Sequence, residues 1–180
     1  MASTLWCGGY YAVPAQFRHF GLIARPKELK PVNFSDHTEI TRRRYEYALG
    51  IDTRDYALLR SVFTDRITMD FKDYSGQDPA HLSADDWVAG CQRLFDGLDA
   101  THHVMTNPIV DIQGDAAHCR MYMTAEHFLE NERGSFLYAI GGYYVDQLSR
   151  IDGRWLINAV TLKLFWQRGN RDIMALAVAG

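Results

Sequence analysis

Val145-Asp146-Gln147-Leu148-Ser149-Arg150-Ile151-Asp152-Gly153-Arg154-Trp155-Leu156-Ile157 reads as two extended segments joined by a tight turn. Asp-Gly is a strong hairpin signal, because the favoured two-residue loop needs positive φ at both central positions. Working outward, the chain from Gly97 to about Arg168 keeps this character, with long β-branched and aromatic stretches broken by Gln113-Gly114-Asp115, Asn131-Glu132-Arg133-Gly134 and Asp152-Gly153. The pattern predicts four antiparallel strands, at roughly 101–112, 116–130, 135–150 and 154–167.

Upstream the period becomes helical. Asp36-His37-Thr38-Glu39 has the form of a capping box that starts a helix. Ile40, Arg44, Tyr47, Ala48 and Ile51 then recur on one face, with Gly50 helping to end the helix and Asp52 at its C-terminal end. Thr53-Arg54-Asp55 starts a second short helix, whose buried stripe is Tyr56, Leu59, Val62 and Phe63. Ile67-Thr68-Met69-Asp70-Phe71 alternates as a strand, and the turn-rich Lys72 to Pro79 is long enough to act as a lid. Ser83 caps a third helix carrying Trp87, Val88, Cys91, Leu94 and Phe95, which ends near Gly97. Helices first and long hairpin strands afterwards mean α+β rather than a parallel βαβ fold. The chain divides into an extension over residues 1–35, a domain over 36–167 and a tail over 168–180 that covers an opening or an interface.

With 180 residues, 47% hydrophobic and 13% aromatic, the chain can bury one sizeable core. Its 19 basic and 22 acidic residues are dispersed, giving a net charge of −3 and no electrostatic footprint for nucleic acid or an anionic membrane. The only dense basic run, Arg42-Arg43-Arg44, fans around a helix and reads as a solvated face. No apolar run approaches the roughly 18 residues a membrane span needs. Cys7, Cys91 and Cys119 are odd in number and far apart, which argues against a disulfide framework or a zinc site and fits a reducing, cytoplasmic compartment. The N-terminal stretch carries Arg18 and Arg25 before its first acid, as a transit peptide would, but Gly8-Gly9, Pro14 and Pro26 interrupt any long amphipathic helix. It is expected to pack on the domain or on a partner subunit.

A curved sheet around helices leaves an interior that side chains only partly fill, so polar residues directed into it need explaining. The candidates are Tyr47, Asp52, one of His102 and His103, and His127. Alternation along a strand puts His102 and His103 on opposite faces. Asp52 has an alternative reading as the N-cap of the following helix. A metal site would need three or four convergent ligands, and no HxH, HxxxH or HExxH spacing is present, so none is expected. Trp87, Phe95, Tyr122, Tyr138, Phe165 and Trp166 read as core or pocket wall.

Tyr47-x4-Asp52, Asp52-Tyr56-Leu59-Phe63, Ala100-Thr101-His102-His103-x3-Asn107, Gly141-Gly142-Tyr143-Tyr144 and Asp152-Gly153-x-Trp155 together resemble the SnoaL-like branch of the nuclear transport factor 2-like superfamily. The resemblance covers about residues 36–167. This branch includes scytalone dehydratase, bile-acid 7α-dehydratase and hexachlorocyclohexane dehydrochlorinase. The resemblance implies a cone-shaped α+β barrel, a curved antiparallel sheet wrapped around three N-terminal helices. It also implies an Asp52–His103 pair, with His102 outward, Tyr47 one turn before the Asp, and His127 in the place of a second active-site histidine. Near Val160 the dehydrochlorinase has an arginine where this chain is apolar, which argues against dehalogenation.

Histidine supplies a base poised near neutral pH, and a buried carboxylate on its other ring nitrogen fixes the tautomer. Tyr47 would donate to developing oxyanion charge, and His127 would protonate a departing hydroxyl. The expected activity is a dehydratase-type lyase without metal or organic cofactor, acting on a hydrophobic cyclic or aromatic hydroxylated small molecule. The same dyad suits an aldol-type polyketide cyclase or an aldehyde-releasing lyase. A different class, a non-catalytic partner like the β-subunit of a ring-hydroxylating dioxygenase, is distinguished by a pocket filled with aromatic side chains. Apolar surface on an open sheet predicts a homodimer or homotrimer.

Overall fold

The computed structural model describes residues 34–179, so Cys7 and the linker expected over Pro26 to Pro31 lie outside the described residues. Elements follow in the order α1 (Phe34–Asp52), α2 (Tyr56–Ser61), β1 (Phe63–Asp70), α3 (Lys72–Ser75), β2 (Ala80–Ser83) and α4 (Ala84–Phe95). The second half is β3 (Ala100–Gln113), β4 (Ala116–Phe128), β5 (Leu137–Ile151), β6 (Arg154–Gly169) and α5 (Asp172–Ala179). The α+β class and the four long hairpin strands are as the sequence predicts.

One curved, unclosed sheet of six strands runs β2-β1-β6-β5-β4-β3. Every neighbouring pair is antiparallel except β1 and β6, which pair in parallel through Met69 opposite Val160. The four hairpin strands are antiparallel as the turns predict, and the antiparallel sheet implied by the resemblance is corrected at this one pair. A parallel pair needs a long crossover, and α4 with the β3–β5 meander supplies it. The single-turn α3 lies inside the expected lid over Lys72 to Pro79 and β2 directly follows it, so among the described residues four helices, not three, precede the long strands.

The predicted capping box is also corrected. α1 begins at Phe34, which puts Asp36 inside its first turn. There the Asp36 carboxylate accepts hydrogen bonds from Arg150 Nη1 and Nη2 at 2.9 and 2.6 Å and from the indole Nε1 of the buried Trp155 at 3.1 Å. Glu39 accepts from the Trp155 backbone N–H at 3.0 Å, and Arg43 Nε donates to the Trp155 carbonyl at 2.8 Å. The polar first turns of α1 thus clamp the helix onto the β5–β6 hairpin. Gly50 does not end α1, which continues to Asp52. A Cβ at Gly50 would lie 2.9 Å from the Leu59 backbone nitrogen, so the glycine lets α2 approach closely.

Side-chain alternation sorts the sheet. Tyr138, Ile140, Tyr144 and Leu148 on β5, with Met121, Met123 and Ala125 on β4, are buried against Ile40, Tyr47 and Ile51 of α1. Tyr122 points the other way and, with Val104, Phe165 and Trp166, lines a shallow groove outside the core, not the cavity wall. β5 shifts register at Gly141-Gly142, where a Cβ on Gly142 would lie 1.9 Å from the Lys163 carbonyl oxygen. The C-terminal tail is a helix: Ile173 and Ala177 are buried, and a Cβ on Gly97 would lie 1.9 Å from the Ala177 carbonyl oxygen. Among the described residues no helix is long and apolar enough to cross a membrane.

Candidate active site

Three hydrogen bonds join the end of α1 to the start of β3. His103 Nδ1 lies 2.7 Å from Asp52 Oδ1, the His103 backbone N–H donates to Asp52 Oδ2 at 2.7 Å, and Thr101 Oγ1 donates to Oδ1 at 2.9 Å. Asp52 therefore does not cap α2. That role belongs to Asp55, whose side chain accepts from the Leu58 backbone N–H at 2.9 Å. Burial alone would push the Asp52 carboxyl up, but the hydrogen bonds and charge of His103, with Thr101, outweigh it and hold the group below its ordinary value. An ionised Asp52 can only accept, so His103 Nδ1 carries a proton, and in the neutral imidazole Nε2 is then the nitrogen with the lone pair. Parity on β3 turns His102 outward, where it lies 3.8 Å from Glu126, while the His103 side chain is 4% exposed. The register shift of β3 falls later, at Thr106 to Ile109, where Asn107 takes positive φ, so it leaves the two histidines on opposite faces.

His103 lies on the wall of a cavity of about 430 Å³ enclosed by the helices and the concave face of the sheet. Met69, Phe71, Trp87, Leu94, Phe95, Ile140, Leu162 and Met174 make most of its surface apolar. Tyr47 and His127 line the same cavity, so all four sequence-predicted residues lie in or against one site. The ring centroids of His103 and His127 are 5.7 Å apart, edge to face. His127 stacks between Phe95 and Tyr138, and its Nδ1 is 3.2 Å from the Tyr138 carbonyl oxygen, which accepts its proton. Burial, then the nearby His103, pulls the His127 pKa down to about 4. At neutral pH it is uncharged, with Nδ1–H committed and Nε2 an acceptor, so the expectation that it protonates a departing hydroxyl is revised: it is built to receive a hydrogen bond.

Tyr47 is buried, and burial holds its hydroxyl well above the ordinary phenol range, so it stays a donor. Tyr144, also on the wall with its ring centroid 6.1 Å from that of Tyr47, is pushed up to about 12 by burial. Behind these rings lies a feature the sequence reading misassigned. Arg44, expected on a solvated face, is fully buried, with its guanidinium carbon 4.4 Å from the Tyr47 centroid and 4.1 Å from that of Tyr144. Its Nε donates to Asp146 Oδ2 at 2.8 Å and its Nη2 to Oδ1, while Nη1 has no hydrogen-bond partner among the described residues. Burial pushes the Asp146 carboxyl up despite the arginine. The signal was present in the helical face that grouped Arg44 with Ile40, Tyr47 and Ala48, and in the parity of Asp146 with Tyr144 and Leu148.

Tyr74, Ser75, Gln77 and Asp78 of the predicted lid line the cavity. The lid is pinned by Arg171 Nη2, which donates to the Tyr74 carbonyl at 2.8 Å, and by a Lys163–Asp73 ion pair at 3.1 Å. Met174 of α5 completes the wall. Among the described residues the cavity lining holds neither Lys nor Arg, and its one acid, Asp78, is paired with Lys72 at 2.8 Å. Among the described residues no group of three or more His, Cys, Asp or Glu side chains has metal-binding geometry.

Comparison with known proteins agrees with this architecture. The chain is 25% identical over 138 residues to the uncharacterized protein Rv2910c of Mycobacterium tuberculosis, spanning 76% of this chain and 91% of that one. The crystal structure of the Kfla4162 protein from Kribbella flavida is 28% identical and superposes with a TM-score of 0.73, covering 79% of this chain and 97% of the other. Hexachlorocyclohexane dehydrochlorinase LinA-type3 from Novosphingobium barchaimii LL02 shares the fold at 16% identity, with a TM-score of 0.62 over 76% of this chain and 91% of that enzyme. A family model for the SnoaL-like domain matches residues 33–161, and the chain belongs to that family.

Proposed function

We propose that this protein is a cofactor-independent lyase that removes water from a neutral, hydrophobic, cyclic or aromatic hydroxy compound. The observation that carries the reading is the 2.7 Å contact between Asp52 and His103 Nδ1, made where His103 meets a large apolar cavity. An adaptor has no use for an ionised carboxylate held on a histidine inside an unfilled pocket. The elimination chemistry of the dehydrochlorinase relative supports the same class.

His103 Nε2 takes a proton from the carbon next to a carbonyl, and the C–H electrons pass to the carbonyl oxygen. Tyr47 donates to that developing oxyanion, and Asp52 stabilises the imidazolium. The enolate collapses, the β-carbon–oxygen bond breaks, and the leaving hydroxyl takes the proton back from His103 Nε2 to depart as water. His127 Nε2 accepts a hydrogen bond from that hydroxyl beforehand and orients it. The product is the conjugated enone, and His103 returns to its starting state. The lack of cations in the lining supports a neutral substrate, since a buried carboxylate or phosphate would be unpaired there. The free, buried Cys91 and Cys119 support a reducing, cytoplasmic setting, and the exposed Tyr122, Phe165 and Trp166 support a homodimer or homotrimer.

The test is dehydration of a panel of neutral cyclic β-hydroxy ketones, followed by the ultraviolet absorbance of the enone. His103→Ala and Asp52→Asn should each lower kcat by about 10²–10⁴-fold with an unchanged circular dichroism spectrum. Undiminished turnover in a folded His103→Ala protein refutes the assignment.

A further inference from the structure

Arg54 follows α1 in the left-handed backbone region, with φ of 60°. That conformation turns the chain at the helix end and sends the guanidinium back across the turn. Nη1 donates to the Ile51 carbonyl at 2.7 Å and to Thr101 Oγ1 at 3.0 Å, and Nη2 donates to the Leu98 carbonyl at 3.2 Å. Thr101 shares the inward face of β3 with His103 and is buried.

The directions of these bonds are forced. A guanidinium only donates, so the Thr101 oxygen must spend a lone pair on Arg54. An ionised carboxylate only accepts, so the single Thr101 proton points at Asp52 Oδ1. Oδ1 then receives Thr101 and His103 Nδ1, while Oδ2 receives the His103 backbone N–H. The carboxylate cannot rotate without losing a donor.

We infer that Arg54 is a positioning residue of the site: acting through the Thr101 hydroxyl, it keeps the Asp52 carboxylate ionised and in the single orientation that leaves His103 Nε2 free towards the cavity. The inference rests on the Asp52–His103 dyad of the proposed function, but not on any substrate. Arg54 approaches the dyad from the turn after α1 and His127 from β4, and the other titratable groups on the cavity that His103 lines are Tyr47, Tyr74, Asp78, Cys91 and Tyr144. Of these, Arg54 alone reaches Asp52 through a hydrogen-bonded hydroxyl.

The experiment follows the side-chain carboxyl ¹³C signal of Asp52 by NMR as the full-length protein is titrated, in wild type, Thr101→Val, Thr101→Ser, Arg54→Gln and the Arg54→Gln/Thr101→Val double variant. Thr101→Val should raise the Asp52 midpoint by about one pH unit, the scale of one charge-assisted hydrogen bond. Arg54→Gln should raise it in the same direction, Thr101→Ser should restore it, and the double variant should match Thr101→Val. Loss of the Ile51 and Leu98 contacts in Arg54→Gln lowers unfolding stability, but a purely structural role leaves the Asp52 midpoint in place. An unmoved midpoint in either single variant, or shifts that add in the double variant, overturns the inference. Because no turnover is read, a shifted midpoint in a protein that dehydrates nothing keeps the relay and removes the lyase reading. An unmoved midpoint in an active enzyme does the reverse.

Discussion

Acid should destabilise this protein through one histidine before its carboxylates titrate. His127 is buried between Phe95 and Tyr138 and its pKa is drawn down to about 4, whereas in the unfolded chain it returns to about 6.5. Between these values the unfolded state binds a proton that the folded state refuses, so stability falls as pH falls through this window and is fully present above it. At 1.36 kcal/mol per unit, the loss attributable to His127 is about 2 kcal/mol at pH 5 and about 3 kcal/mol at pH 4. Urea unfolding followed by circular dichroism, at pH 7, 6, 5 and 4, on wild type and His127→Leu, isolates it. The difference between the two proteins should swing by about 3 kcal/mol towards the variant from neutral pH to pH 4. Asp52, whose pKa is lowered, withdraws its own contribution in a separate window, below its ordinary value of 3.8. Parallel stability curves for the two proteins would refute the burial argument and with it the neutral, accepting role given to His127.

Further outcomes follow from the packing. Asp146→Ala leaves Arg44 buried without its partner and should cost about 3–5 kcal/mol in denaturant melts. Arg44→Met/Asp146→Leu should cost much less than the sum of the two single changes, and an additive double variant counts against a coupled pair. Gly142→Ala forces a Cβ against the Lys163 carbonyl and should destabilise by about 1–3 kcal/mol, a value checked by thermal unfolding. Gly97→Val should dislodge α5 from its seat, so that limited proteolysis cuts near Asn170 in the variant and not in wild type.

The long hairpins were legible because Asp152-Gly153 and the β-branched runs state their geometry locally, and parity forced a choice between His102 and His103 that the family resemblance made in favour of His103. The family resemblance, not spacing, singled out Asp52 as the partner. What was illegible depends on distant chain. Asp36 and Glu39 have the local form of a cap, but the half-buried Arg150 guanidinium and the N–H groups of the buried Trp155 are donors that outweigh an exposed helix end. Arg44 looked like surface because a buried arginine is rare without an acid to meet it, and Asp146 lies 102 positions away. The parallel β1–β6 pair leaves no turn signal at all, since no short loop joins its strands.

That pair also governs the order in which the molecule can be built. Thr64 meets Ile157 across 93 positions, and Asp36 meets Trp155 across 119. During synthesis, α1, β1 and the Asp52 end of the site exist long before the strand that holds them, while β1 and β5 each wait with an unpaired edge. Contacts so distant are paid for in loop entropy before they return anything. A nascent chain stopped short of β6 therefore has neither a closed cavity nor a covered core, and folding of the domain is a late, nearly all-or-none event that leaves its apolar strands open to aggregation until the final hairpin docks.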